Sequence, residues 1–248
     1  MNTIKESPHG TNRKAAIIVG VLYIIGTVAG FLSRAFTGSM LSDPNYLIKV
    51  SENQNQIVIG GLLVLIMGLA LAMMSVLLFP ILKKHNEALA LGYVVFRALE
   101  AVIGIAIVIG SLLLLTVSQE YVKAGAPAAS HFQTLGTLLF NATNVQIGSI
   151  MDIVFPLGAL MLYFVFYQSK LIPRWISVWG LVGAIIYLAS GLLVMFGSIT
   201  STISDVLQLP IFLQEIVLAV LLIVKGFNPS AVASLSAKTA TNELLSAA

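Results

Sequence analysis

Residues 89–117, LALGYVVFRALEAVIGIAIVIGSLLLLTV, are the stretch of sequence that decides the fold. The stretch is almost wholly apolar, yet it contains one arginine and one glutamate, Arg97 and Glu100. A helix needs about 20 mainly apolar residues to cross about 30 Å of hydrocarbon, and this stretch is longer than that. It therefore predicts a membrane-spanning helix with two charged side chains inside the lipid.

The rest of the chain has the same apolar character. Of its 248 residues, 58% are hydrophobic and 9% are charged, and the mean hydropathy is +0.99. A soluble domain usually has charge on about a quarter of its residues. We therefore expect an all-α fold, a polytopic transmembrane helical bundle, with room for one bundle at this length.

Six stretches are long and apolar enough to be spans: residues 15–36, 57–80, 89–117, 145–168, 175–197 and 207–225. The first is too long for a signal-peptide core of about 7–15 residues, so we expect it to be retained. The connection 37–56 has room for a short surface helix. The longest connection, 118–144, contains a semi-apolar segment from His131 onward that we expect to lie on the membrane or to re-enter it.

The positions of the basic residues predict the orientation. With a cytoplasmic N-terminus, nine of the 13 Lys and Arg residues lie inside, three lie outside and one lies within a span. Positive charge is retained on the cytoplasmic side of short loops, so this excess indicates six spans with both termini in the cytoplasm. We expect a cytoplasmic N-terminal segment over 1–14, a six-span transmembrane domain over 15–227 and a flexible cytoplasmic tail over 228–248, in the cytoplasmic (inner) membrane.

Four ionisable residues lie well inside the predicted spans: Arg97, Glu100, Asp152 and Glu215. A charge at mid-membrane costs about 2.5–3.5 kcal/mol on insertion scales, so these side chains should face the bundle interior. At about 1.5 Å per residue, Arg97 and Glu215 lie at matching depth, and Glu100 shares a helix face with Arg97. We predict a buried polar centre in which Arg97 contacts Glu215, supported by Glu100.

Asp152 lies nearer to the outer face than this centre does. Ser149 and Gln146 precede it on one broad side of the fourth span, and Pro156 follows and releases a backbone carbonyl one turn earlier. We predict that Asp152, with Ser149 and Gln146, forms an accessory proton or cation site on the outward side of the same cavity.

Two functions compete for these charges. They can be a structural ion network that fixes helix packing in a non-catalytic membrane assembly or sensory module. Alternatively, three acids beside one arginine leave two formal negative charges in a low dielectric, which a proton or a bound cation has to offset. That hypothesis is proton- or cation-coupled transport of a small solute. A lipid-modifying enzyme that uses only carboxylates is a third alternative.

Several kinds of site are excluded. The chain has no cysteine, which rules out disulfides, thiolate metal sites and cysteine nucleophiles. Its three histidines, His9, His85 and His131, lie outside the predicted spans, so a zinc or haem site in the bundle lacks ligands. We predict no metal and no cofactor, and a non-enzyme rather than an enzyme.

The expected partners follow from the same composition. Membrane lipids surround the chain, and a small solute, a proton or a cation is the ligand that the buried acids favour. Nucleic acid is not expected, because the basic residues do not form a clustered face. A homo-oligomer is compatible with the sequence.

Three segments carry a family resemblance: FRALEA at 96–101, SKLIPRWISVWGLVGAIIYL at 169–188 and QEIVLAVLLIVKGF at 214–227. Together they resemble a bacterial integral-membrane family known as Domain of Unknown Function 4386, over about residues 13–228. The resemblance implies a single helical membrane domain that contains Arg97 and Glu100 in the third span and Glu215 in the last. Asp152 departs from the family pattern. The family has no established activity.

Overall fold

The computed structural model describes residues 8–41, 43–127 and 130–233. These ranges form α1 (Pro8–Leu41), α2 (Tyr46–Glu52), α3 (Gln54–Leu82), α4 (Glu87–Lys123), α5 (His131–Phe140), α6 (Gly148–Ser169), α7 (Arg174–Met195) and α8 (Ser201–Val224). A π-helical segment, Asn141–Ile147, joins α5 to α6. The described part of the chain contains no strand, so the predicted all-α class is confirmed.

Six helical stretches are long and apolar enough to cross a membrane: Asn12–Gly38, Gln54–Leu82, Glu87–Lys123, His131–Ser169, Arg174–Met195 and Ser201–Val224. Large apolar side chains cover their outer surface; Leu69, for example, is 71% exposed and Val102 61% exposed. Exposed apolar area on that scale is typical of a surface that lipid covers. The structure is therefore that of a multi-pass membrane protein with the predicted number of spans.

The connections differ from expectation at one place. The predicted surface helix in 37–56 is present as α2. The segment from His131, however, does not form a separate surface or re-entrant element, because α5, the π-helical segment and α6 run on as one stretch to Ser169. A π turn accommodates extra residues inside a helix. The polar residues Asn141 and Asn144 thus lie within a continuous helical stretch, and the fourth span begins before residue 145.

Local chemistry sets several helix ends. The side chains of Asn86, Ser130 and Thr200 each accept a hydrogen bond from a backbone amide in the first turn of α4, α5 and α8. Lys170 adopts a left-handed conformation with φ of 56° and ends α6. Pro173 is the N-cap residue of α7, and prolines are common at the start of a helix.

The six spans pack in a closed ring, in the order α1, α3, α4, α6, α7, α8 and back to α1. Glycines allow the closest contacts. A Cβ on Gly20 would lie 2.7 Å from the carbonyl oxygen of Ala219, and a Cβ on Gly191 would lie 2.9 Å from the carbonyl oxygen of Asp152. Small residues of this kind let helix backbones approach each other in membranes.

The interior of the ring differs between its two halves. The half at the start of α1 holds the main apolar core, which includes Met74, Leu78, Leu162 and Leu218, each with no exposed surface. We call it the closed half. The half at the end of α1, where α3 and α8 begin, holds an internal cavity instead, and we call it the cavity half. The charged residues of the spans lie between the apolar core and the end of the cavity half.

Candidate functional site

The central feature of the bundle is a buried arginine between two glutamates. Arg97 on α4 is 1% exposed. Its Nη1 donates to Glu100 Oε2 at 2.9 Å, and its Nη2 lies 3.5 Å from Glu215 Oε1 on α8. The predicted Arg97–Glu215 contact and the supporting position of Glu100 are therefore confirmed. The functional role that we assigned to these residues stays a prediction.

The two halves of this ion set are unequal. The Arg97–Glu100 pair has the short distance of a charge-assisted hydrogen bond, about 2.7–2.9 Å. The Arg97–Glu215 pair is longer, and Nη2 has no hydrogen-bond partner in the described structure. Arg97 therefore holds Glu100 firmly and Glu215 loosely.

Aromatic side chains complete the surroundings of Arg97. Its Nε donates to the Tyr93 hydroxyl at 3.3 Å. The centre of the guanidinium lies 5.5 Å from the ring centroid of Tyr93 and 5.0 Å from that of Phe155. Cation–π contacts at this range stabilise a charge that has been taken out of water.

A chain of hydrogen bonds connects Glu215 to the closed half. The Tyr23 hydroxyl donates to Glu215 Oε1 at 3.3 Å and lies 3.3 Å from the Tyr163 hydroxyl. Tyr163 donates to Gln214 Oε1 at 2.7 Å, and Gln214 Nε2 donates to the carbonyl of Ile176 at 3.1 Å. These tyrosines link α1, α6, α7 and α8 around one carboxylate.

Sequence reasoning missed this tyrosine network. Neither Tyr23 nor Tyr163 carried a predicted role. A usable signal was present, because a tyrosine hydroxyl in mid-span needs a hydrogen-bond partner that lipid does not offer.

Asp152 on α6 forms a second polar cluster. The Tyr187 hydroxyl donates to its Oδ1 at 3.0 Å, and Gln208 Nε2 donates to its Oδ2 at 3.1 Å. Gln208 Nε2 also lies 3.0 Å from Ser204 Oγ, which donates to Ser190 Oγ at 3.2 Å. The donors to this carboxylate are thus neutral groups from α7 and α8.

The two other residues of the predicted accessory site lie elsewhere. Ser149 is buried and its hydroxyl donates to the carbonyl of Val145 at 2.5 Å. Gln146 is exposed and lines a different cavity, of about 900 Å³, between α2 and α5. Six residues separate Gln146 from Asp152, which corresponds to about 120° around a helix and about 9 Å along it, so helical periodicity does not bring the two side chains together.

An ion pair at the end of the cavity half was not anticipated. Arg34 on α1 pairs with Asp205 on α8. Neither was among the four ionisable residues predicted to lie well inside the spans, and both lie within the helical spans of the structure. Their side chains are 63% and 53% exposed, so the cavity end at which they lie is accessible. Counting charges along each span gives depth but does not show which helices are neighbours.

One cavity of about 600 Å³ connects these groups. Glu100 and Glu215 line its inner end, Asp152 lines its wall, and Arg34 and Asp205 line the accessible end. Ten helical residues separate Glu215 from Asp205, which corresponds to roughly 15 Å along the axis. The cavity therefore leads from one end of the bundle to the ion set at its centre, and the apolar core lies beyond.

The charges along the cavity do not balance. Arg34 compensates Asp205, and Arg97 compensates one of the two glutamates that it contacts. Arg34 also lies within electrostatic range of Asp152. The set of four acids and two arginines nevertheless has two formal negative charges in excess. No group of three or more His, Cys, Asp or Glu in the described ranges is arranged to hold a metal ion.

Comparison with known proteins gives a family and no relative of known activity. Neither a curated protein nor a solved structure matches the chain. A family model described as Domain of unknown function (DUF4386) matches residues 18–226, which include Arg97, Glu100, Asp152 and Glu215. The expected resemblance is confirmed: the chain belongs to this family of membrane-spanning proteins.

Proposed function

We propose that the protein binds a small solute in the cavity and transports it across the membrane together with a proton or a cation. The observation that carries the proposal is the one-sided interior. An accessible, acidic cavity ends at Glu215 and Glu100, and a dry apolar core fills the remaining half. A structural ion network alone does not require such a cavity, and a transporter in one of its two end states does.

Glu215 is the group that we propose to carry the coupling ion. It lines the cavity, and its contact with Arg97 is long and lacks a hydrogen bond from Nη2. A bound proton or cation would offset its charge and release it from Arg97. Tyr23, which donates to the same carboxylate and belongs to the apolar core, would pass that change to the closed half.

The orientation and location that we propose follow from the basic residues. Both termini lie in the cytoplasm, the membrane is the cytoplasmic (inner) membrane, and the cavity opens to the opposite side. A short helical turn over residues 229–233 follows α8, and we propose that it and the segment beyond it form a cytoplasmic tail. Residues 234–248, most of that tail, lie outside the described part of the chain.

Proton flux into proteoliposomes tests the proposal. Vesicles that contain pyranine receive an imposed pH gradient together with a panel of small polar solutes, choline among them, on the acidic side, with potassium and valinomycin to clamp the voltage. We expect dye acidification with the wild-type protein and a loss of at least about tenfold with Glu215→Gln, which keeps the side-chain shape and removes the charge. Repeating the assay with a sodium gradient and a sodium-sensitive dye in place of pyranine covers a cation in place of the proton.

The matched control is Glu120→Gln, because Glu120 pairs with Lys123 on an exposed part of α4 away from the cavity. That variant should retain the wild-type flux. Folded Glu215→Gln with unchanged flux would contradict the proposal. If no flux occurs in any variant and Glu215→Gln only alters stability, the rival hypothesis of a structural ion network in an assembly or sensory module is supported instead.

A further inference from the structure

We infer that the solute taken up by the cavity is a monovalent organic ammonium ion, a protonated amine or a quaternary ammonium, held between Asp152 and the aromatic rings of the cavity wall. The inference rests on the proposed function only in treating the cavity as a binding site. It names the class of ligand, which neither the family nor the charge balance assigns.

Aromatic rings line the cavity beside Asp152 and the two glutamates. Phe155 and Tyr187 form an edge-to-face pair with centroids 4.9 Å apart, and Phe31 and Phe212 form a second pair at 5.9 Å. Phe155 already contacts one organic cation, the guanidinium of Arg97. Aromatic faces combined with an anionic group are the surroundings in which proteins bind ammonium ligands.

Asp152 is placed to supply the anionic group. The hydroxyl of Tyr187 donates to its carboxylate, so one aromatic ring and the negative charge are adjacent on the same wall. Its second donor, Gln208, also lines the cavity. Both donors are neutral, and they orient the carboxylate without removing its charge.

The size and lining of the cavity favour an organic ion over a bare metal ion. Its volume of about 600 Å³ falls within the range of small-molecule sites, about 300–1,000 Å³. Apolar side chains such as Met67, Leu71 and Ile211 form much of the wall. A hard cation needs six or more oxygen ligands close together, and no acidic cluster of that kind occurs within the described ranges.

One hydroxyl in the cavity wall lacks a hydrogen-bond partner. Thr27 lines the cavity, and its Oγ1 is buried and has no hydrogen-bond partner in the described structure. A buried hydroxyl without a partner costs about 1–3 kcal/mol. The oxygen has almost no accessible surface beside the empty cavity, so the Thr27 side chain would have to rotate before a ligand with an N–H or O–H group could bond to it.

Ligand binding to the purified protein in detergent tests the inference without any flux measurement. The probes are choline, tetraethylammonium and benzylammonium, and 3,3-dimethylbutan-1-ol serves as the uncharged analogue of choline. Calorimetry at constant sodium chloride and pH gives Kd for each. We expect at least one ammonium probe to bind. If choline binds, its affinity should be at least about tenfold higher than that of its uncharged analogue.

Two variants locate the binding. Asp152→Asn should weaken ammonium binding by about tenfold or more, because it removes the buried counter-charge and keeps the side-chain shape, although one of the two acceptor oxygens becomes an amide donor. Phe212→Leu should weaken it several-fold by removing one ring. Glu120→Gln, the same loss of charge outside the cavity, should leave Kd unchanged.

The outcomes separate this inference from the proposed function. No binding of any ammonium probe, equal binding of choline and its uncharged analogue, or wild-type affinity in Asp152→Asn would each overturn the inference. Ammonium binding without flux would contradict transport and leave the inference standing. Flux that depends on Glu215, in a protein that binds no ammonium probe, would overturn the inference alone.

Discussion

Replacing Arg97 by methionine should destabilise the protein far more than the same change at Arg34. Arg97 is 1% exposed and lies between Glu100 and Glu215 at 2.9 and 3.5 Å. Methionine fills much of the same volume but leaves two buried carboxylates without their cation. Arg34 also has a carboxylate partner, but its side chain is 63% exposed.

The expected magnitudes follow from that difference in burial. Removing one partner of a buried ion pair typically lowers the free energy of unfolding by about 3–5 kcal/mol. Removing one partner of an exposed pair changes it by about 0–1 kcal/mol. The variant Arg97→Met with Glu100→Gln and Glu215→Gln should recover most of the loss, because it leaves no uncompensated charge in the interior.

Unfolding in mixed micelles of dodecyl maltoside and sodium dodecyl sulfate measures these differences. The stacked pair Trp175 and Trp179, with ring centroids 6.2 Å apart at the start of α7, provides an intrinsic fluorescence signal. A loss below about 1 kcal/mol for Arg97→Met, equal to that for Arg34→Met, would refute the reasoning. If the triple variant recovered nothing, packing of the arginine against Tyr93 and Phe155 would be the stabilising contribution instead.

Gly191→Ala should lower the free energy of unfolding by about 1–3 kcal/mol in the same assay, because the new Cβ would lie 2.9 Å from the backbone oxygen of Asp152. A Cβ at Gly38 would have no neighbouring atom within 4 Å, so Gly38→Ala should not lower the stability in this way. Equal stability of the two variants would contradict the close contact of α6 and α7. Since the chain has no cysteine, single cysteines can report its orientation. In spheroplasts an impermeant maleimide should label Ser198→Cys, beside the cavity half, and not Lys84→Cys at the opposite end, and the reverse pattern would contradict cytoplasmic termini.

Hydropathy and charge were sufficient to predict the spans and the ion set. Each span is longer and more apolar than any soluble helix needs, so its existence does not depend on its neighbours. The contact of Arg97 with Glu215 followed from depth, since a buried charge in lipid has few partners at its own level. Both results depend on the depth of a residue along the membrane normal. That depth follows directly from the number of residues between it and the end of its span.

Arrangement within the membrane plane could not be predicted in the same way. The pairing of Arg34 with Asp205 requires that α1 and α8 be neighbours, which follows from closure of the ring. The approach of Tyr187 to Asp152 depends on the contact of α7 with α6. The π-helical segment Asn141–Ile147 arises from local hydrogen bonding that hydropathy does not report. In the first two cases, the sequence did not show which helices are neighbours in the membrane plane.

The unequal filling of the two halves has an electrical consequence. Electrolyte in the cavity would bring the potential of the solution on that side of the membrane as far as Glu215. The membrane voltage would then fall mainly across the apolar core, which is thinner than the whole membrane. A charge that crosses the whole voltage changes energy by about 2.3 kcal/mol per 100 mV. A short displacement of Glu215 or of its bound ion across that core would then experience most of the voltage, and occupancy of the site would depend on the membrane potential.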